Sequence, residues 1–380
     1  MSAPRIARIA LNGRFSGTQQ PTGTQTVAFH LFDAIIRAPR RAGETVVVFA
    51  DPRFPGVEAW GDLPGTELIV VPFQDWPRWK AQLWEQLVFP LVARKAGARI
   101  GHHPITTCTW WHNGVKTVVT LHDLNFYLHP EWYSRAFRLV FAVCAIPGIR
   151  AADRVVTISD YVRDQIAEHL RIPARRLFRV HNGNRLPPPE SATLPPPGGP
   201  GDYIVCVGSL QPHKNLPRLV KAFLKLRESG FPDLELRVVG RPQPRFAELP
   251  ELTELLKSPG IRILGYLSNE ELFAAYRGAR VFCYPSLEEG FGLPLLEAMS
   301  VGTPVVTSNV SCLPEIAGPT SELVDPLDVD AIADGLARVL RLPPGERAAR
   351  IAGGREWEAR FRWENGAREY WEIYRNLAAE

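Results

Sequence analysis

Two glutamates eight residues apart, Glu289 and Glu297, bracket a glycine-rich turn in RVFCYPSLEEGFGLPLLEAMSVGTPVVTS (280–308). The run RVFCYP predicts a strand that ends in a turn. Pro294 marks the helix that follows, because proline suits a first helical turn. Gly290 and Gly292 carry no Cβ, so their backbone N–H groups can come close to a ligand. N–H groups at a helix N-terminus gather partial positive charge, which predicts an anion site suited to phosphate. Glu289 precedes that helix. Glu297 lies one turn inside it and can accept hydrogen bonds from vicinal hydroxyls such as those of a ribose. Lys214 falls in the loop between YIVCVG (203–208) and a helix beginning near Pro217. An ammonium there can neutralise a diphosphate, although a lone loop lysine is ordinarily a solvated charge. His122 and Asp123 follow the strand-like run KTVVTL (116–121). A strand-end histidine can hydrogen-bond a sugar hydroxyl or simply cap or fill the core, and Asp123 reads as a turn or helix cap. Gly23, in PTGTQTVA (21–28), precedes another helix whose N–H groups are suited to the same diphosphate.

The elements that must position these residues alternate along the chain. RIARIAL (5–11), TVVVF (45–49), ELIVV (67–71), KTVVTL (116–121), RVVTI (154–158), YIVCVG (203–208), LELRVVG (234–240), RVFCYP (280–285) and PVVT (304–307) read as strands. They are nearly continuous apolar runs, as expected of strands buried on both faces. Helical patterns lie between them, for instance at 24–36, 161–170 and 216–226. Strand–helix alternation predicts doubly wound parallel sheets, whose ligands bind at the carboxyl ends of the strands. RLPPPESATLPPPGGPGD (185–202) holds neither helix nor central strand and divides the chain. The boundaries expected are a first domain over 1–186, a linker over 187–201 and a second domain over 202–355. A terminal helix over 356–380, rich in Trp and Tyr, completes the first.

As a set, these segments resemble the retaining glycosyltransferases of family 4, which have the GT-B fold of two Rossmann-like domains facing a central cleft. EEGFGLPLLEA followed by GTPVV, LNGRF…TGTQTVA, VVTLHDL, VVTISDYVRDQI, RVHNGN, CVGSLQPHKNLPRLVKAF and FRWENGAREYWEIY carry the resemblance, in the family's order. The likeness implies a hexosyltransferase, mannosyltransferase-like, acting in polysaccharide biosynthesis. It implies donor contacts at Gly23, Gly208, Ser209, Lys214, Glu289, Gly290, Phe291, Gly292, Leu293 and Glu297, with His122, Glu289 and Lys214 catalytic. It implies a nucleoside-diphosphate sugar as donor, GDP-mannose first and a UDP-sugar next. The acceptor implied is a saccharide or polyprenyl-linked saccharide. One position departs from the family, where many members carry a second phosphate-binding arginine at the site of Ser209. A different nucleotide-sugar chemistry on the same fold and a silent sugar-nucleotide-binding protein are the alternative readings.

Composition narrows the partners. Of 380 residues, 44 are Lys or Arg and 40 Asp or Glu, a net charge of +4 that is too weak to argue for nucleic acid. A hydrophobic share of 45% excludes a disordered chain. The five cysteines form no C-x-x-C pair and read as reduced thiols of a cytoplasmic protein. The opening MSAPRIARIALNGRF has no signal-peptide pattern. The longest apolar run, 139–149, is shorter than the about 17–25 residues a span needs. No metal site is expected, because D-x-D is absent and His102, His103 and His112 lack ligand spacing. RWKAQLWEQLVFPLVARKA (78–96) is basic at both ends. It reads as a buried helix, with peripheral contact to anionic lipid at the inner membrane face as the alternative.

Overall fold

The computed structural model describes residues 7–19, 23–133, 138–139, 141–185, 202–208, 210–240 and 250–380. The chain forms two compact units, Met1–Gly183 with Arg362–Glu380, and Asn184–Phe361. The linker expected over 187–201 lies outside the described residues, as does Ser209.

Among the described residues, the first unit holds seven parallel strands: β1 (Arg8–Gly13), β2 (Thr45–Ala50), β3 (Thr66–Val70), β4 (Ile100–His103), β5 (Lys116–Leu121), β6 (Arg154–Thr157) and β7 (Leu177–Arg179). Their order in the sheet is β3-β2-β1-β4-β5-β6-β7. The second unit holds β8 (Tyr203–Val207), β9 (Glu235–Val239), β10 (Ile261–Gly265), β11 (Val281–Tyr284), β12 (Val305–Ser308) and β13 (Glu322–Val324), in the order β10-β9-β8-β11-β12-β13. All pairings are parallel, with β8 and β11 central, so the ends of these two strands are flanked by neighbours on both sides.

Four strands escape the sequence pattern. β7, β10 and β13 are sheet edges, only partly buried, and need no apolar run. β4 is central and fully buried, but its IGHH sequence hides it. His102 is a core residue there. Its Nε2 lies 2.8 Å from Thr120 Oγ1 and its Nδ1 2.6 Å from Tyr374 Oη, so both ring nitrogens are occupied within the fold. Burial, with His103 and His122 adding to it, pulls its pKa well down and keeps the ring neutral.

The terminal helix is shorter than expected. Helix Pro344–Glu358 belongs to the second unit, and a separate helix, Trp363–Ala379, packs on the first. The aromatic residues of 357–374 serve two cores, one in each unit. Trp357 Nε1 donates to Ile316 O at 2.9 Å, the chain is extended at Arg362, and Trp371 Nε1 donates to Ile35 O at 3.0 Å. Gly183 makes room for that turn, since a Cβ there would meet the Trp363 backbone nitrogen at 2.3 Å.

The stretch 78–96 also differs from expectation. It comprises helix Arg78–Leu83, a π-helical turn Trp84–Val88 and helix Phe89–Lys95. Ala81, Trp84, Phe89 and Ala93 enter the core beside Phe49 and Phe73, whereas the opposite face is exposed. All five cysteines are free.

Because Trp371 is 1% exposed and sits in the core with Tyr370 and Tyr374, Trp371→Ala should cost about 3–5 kcal/mol. Urea unfolding followed by far-UV circular dichroism measures it, and a change under 1 kcal/mol would contradict this role for the helix.

Candidate active site

In the second unit, the loops leaving β8 and β11 are stitched together. Leu287 N donates to His213 O at 2.7 Å. Asn215, held at φ +58°, donates through Nδ2 to Pro285 O at 3.0 Å and to Pro326 O at 2.6 Å. Between these ties lies the Lys214 ammonium. It donates to Glu289 Oε1 at 2.5 Å and to Tyr284 Oη at 2.6 Å. An ammonium has three donors, so this arrangement leaves one for a ligand. Gly208 follows β8 at φ +153°, and its absent Cβ would lie 3.4 Å from the Lys214 stem.

Burial pushes the Glu289 carboxyl up. The Lys214 ammonium, His213 and hydrogen bonds from Lys214 and Tyr284 outweigh that and hold it below its ordinary value. Helix Leu293–Ser300 is headed by Gly292 at φ +91°, a conformation that favours glycine. Leu293 is the first residue of that helix and Pro294 its second. Phe291 is buried and meets Phe361 edge-on, ring centroids 6.0 Å apart, so its side chain serves packing.

Glu297 is buried, and its carboxylate is occupied. Oε1 accepts from Arg185 Nη2 at 2.7 Å and Nε at 3.1 Å, while Oε2 accepts from Tyr276 Oη at 3.0 Å. With about two lone pairs per oxygen, the acceptor capacity left for ribose hydroxyls is on Oε2.

In the first unit, His122 follows β5. Its Nε2 donates to Pro104 O at 2.7 Å, so Nδ1 is the acceptor. Burial lowers its pKa, and the Pro104 bond only partly opposes this, so the ring is neutral. Gly23 opens helix Gly23–Arg37 and is exposed, with open space where a Cβ would stand.

Residues 23–184 match the family described as Glycosyltransferase Family 4, and residues 196–357 the family described as Glycosyl transferases group 1. The O-antigen chain mannosyltransferase B of Escherichia coli is 32% identical over 67% of this chain and 68% of its own length. The chain belongs to the family 4 glycosyltransferases. The MMP alpha-(1->4)-mannosyltransferase of Mycolicibacterium hassiacum is 30% identical over 77% of this chain and 66% of its own length. Among solved structures, the sucrose-phosphate synthase of Thermosynechococcus elongatus superposes with a TM-score of 0.70 at 24% identity, covering 98% of this chain and 99% of the other. WaaG, a glycosyltransferase of lipopolysaccharide biosynthesis, superposes at 0.65 with 16% identity, covering 97% and 99%. Both carry the GT-B fold, with two parallel-sheet Rossmann-like domains, and this glycosyltransferase shares it.

Several residues of this glycosyltransferase were not singled out by sequence. Tyr284, Asn215, Arg185 and Tyr276 hold Lys214, its loop and Glu297. The first unit carries a further buried carboxylate, Glu85, in the π-helical turn. Its oxygens accept from Asn12 Nδ2 at 2.8 Å and Thr107 Oγ1 at 2.7 Å, and they pair with Arg14 Nη2 at 3.3 Å. His103 Nδ1 stands 3.2 Å away. Burial raises the Glu85 carboxyl, but Arg14, His103 and Thr107 bring it below its ordinary value, so it is ionised. Asn12 and His103 lie at the carboxyl ends of β1 and β4, which puts this cluster at the ligand-binding end of the sheet. The visible signal was a central strand written as Gly-His-His.

The lowered pKa of Glu289 fixes the sign of a pH effect. A depressed carboxyl contributes stability that is fully present above its ordinary value, near 4.5, and is lost as pH falls through the lowered folded value. Glu289→Gln should therefore be less stable than the native chain by a constant margin at pH 6–8, and the margin should shrink below about pH 4.5. Urea unfolding across that range reads it, and a margin that grows on acidification would refute the pairing.

Proposed function

We propose that this glycosyltransferase moves a hexose, mannose first, from a nucleoside-diphosphate sugar to a saccharide or polyprenyl-linked saccharide, with retention and without a metal ion. GDP-mannose is the first donor and a UDP-sugar the next. The observation that carries the reading is the Lys214 ammonium, fixed by Glu289 and Tyr284 with one donor left, at the end of a central strand. The mannosyltransferases among its relatives, including the serotype-specific WbdA of Escherichia coli at 27% identity, support the sugar.

Departure of the diphosphate builds negative charge on its oxygens and positive charge on the sugar. Lys214 and the N–H groups heading helix Leu293–Ser300 meet the former with preorganised charge. Glu289, kept ionised, orients Lys214 and offers its remaining oxygen lone pairs to sugar hydroxyls. His122, neutral with Nδ1 as acceptor, takes a hydrogen bond from a sugar hydroxyl. Gly23 and Gly290 let backbone N–H groups reach the diphosphate, and Gly208 lies beside the Lys214 stem. Glu297, through Oε2, accepts from the ribose. Retention follows from attack on the same face as departure, with the leaving phosphate taking the acceptor proton. The enzyme works in the cytoplasm, with the acceptor met at the inner membrane face.

A thermal-shift screen across nucleotide sugars tests the donor. GDP-mannose should raise the melting temperature most, and stabilisation by no nucleotide sugar would overturn the reading. Lys214→Ala should lower kcat roughly 10²–10³-fold, the cost of losing one preorganised donor. Lys214→Arg should recover only part, because a planar fork does not replace a point charge. A folded Lys214→Ala enzyme within a few-fold of the native rate would place the phosphate site on another loop.

Because Lys214 and a helix N-terminus meet the charge, EDTA should leave activity intact. Loss on chelation with restoration by Mg²⁺ or Mn²⁺ would require a metal at the diphosphate.

A further inference from the structure

The stretch Arg78–Lys95 presents to solvent what a water-soluble surface avoids. Trp79 is 66% exposed, Leu83 49%, Leu87 50%, Val88 38% and Leu91 47%. Trp79, Leu83, Leu87 and Leu91 follow at intervals of four, so they form one stripe along the helical axis. Contiguous exposed apolar stripes mark interaction surfaces, whereas single exposed residues do not. Trp110 and Trp111, each more than 40% exposed, lie in a loop tied to the helix by Arg94 Nη1 donating to Asn113 Oδ1 at 3.2 Å.

The charges around the stripe choose its occupant. Arg78 and Lys80 stand at one end, Arg94 and Lys95 at the other, and all four are exposed. The one acidic residue of the stretch, Glu85, is buried on the opposite face and committed to Arg14. An apolar stripe with cations at both ends and an exposed Trp matches an anionic bilayer. The apolar side chains enter the acyl boundary, while Lys and Arg stems reach out to lipid phosphates. A second copy of the chain fits less well. Self-pairing across a two-fold axis would bring cations against cations with no exposed acid in the stretch to offset them.

We propose that the face formed by Trp79, Leu83, Leu87 and Leu91, with its flanking cations, seats this enzyme on an anionic lipid surface. It is an in-plane attachment, since among the described residues no helix is long and apolar enough to cross a membrane. The proposal deepens the reading above by naming the surface through which a lipid-linked acceptor would be met, and it rests on that reading only for the acceptor.

Co-sedimentation of the full chain with vesicles tests it. Phosphatidylcholine vesicles containing phosphatidylglycerol should bind the chain, and pure phosphatidylcholine should bind it at least roughly tenfold less. Leu83→Glu with Leu87→Glu should lower partition by roughly 10²-fold, with the melting temperature and any donor-induced thermal shift retained. Arg94→Glu with Lys95→Glu should remove the preference for anionic lipid. Absence of binding to the anionic vesicles at low salt overturns the proposal. So does native-like binding by the Leu83→Glu, Leu87→Glu chain. A dimer that this double substitution dissociates, without vesicle binding, would assign the face to a second copy. A retained donor shift alongside failed vesicle binding sinks the docking face alone. Vesicle binding without any donor shift sinks the transferase reading and leaves the docking face standing.

Discussion

A carboxylate taken out of water must be given a cation and hydrogen-bond donors, or it costs several kcal/mol. Glu289 has Lys214 and Tyr284, Glu297 has Arg185 and Tyr276, and Glu85 has Arg14, Thr107 and Asn12. Each set helps fix loops or element ends at the site. The Lys214 pair ties the loop after β8 to the loop after β11. The Arg185 pair ties the start of the second unit to helix Leu293–Ser300. The Arg14 pair ties the turn after β1 to the π-helical turn. Such pairs add little net stability against an apolar replacement, but losing one partner is costly. Their value here is positional, because they set an ammonium and two guanidinium groups in fixed geometry.

The same pairs show why part of the site was legible in the sequence and part was not. Glu289, Gly292 and Pro294 sit within one strand–turn–helix segment, so local pattern exposes them. Lys214 is visible because a strand precedes it and a proline-marked helix follows. Their partners are distant in the chain. Tyr284 is 70 residues from Lys214, Arg185 is 112 from Glu297, and Asn12 is 73 from Glu85. No periodicity links residues so far apart. Glu297 shows the cost of reading one residue at a time. Its place in the helix suggested an open carboxylate, and three of its acceptor positions are taken by Arg185 and Tyr276.

The fold was legible wherever strands had to be apolar on both faces, as β1, β2, β5, β8 and β11 are. It was illegible where position in the sheet replaces composition. Edge strands β7, β10 and β13 are held by one neighbour and leave side chains in water, so their sequences carry no apolar run. In β4, His102 is buried with both ring nitrogens partnered inside the core. Polar residues that satisfy one another can occupy a central strand, and a scale of hydrophobicity does not see the satisfaction.

The stretch Arg78–Lys95 was misread for a related reason. A uniform helix with apolar residues almost all round is assigned to the interior. The π-helical turn breaks that uniformity, because more residues per turn bring consecutive side chains closer in direction. Trp84, Glu85 and Gln86 all face inward, and Leu87 and Val88 face outward as neighbours. The wider turn therefore serves two surfaces. It aims a carboxylate at Arg14 beside the carboxyl end of β1, and it keeps Leu83, Leu87 and Leu91 aligned on the outer face. An α-helical register over the same residues would spread three neighbours over a wider arc and turn one of them from the core. Glu85 would then lose its donors. The rare geometry is thus fixed by the demand that one short element face two different environments.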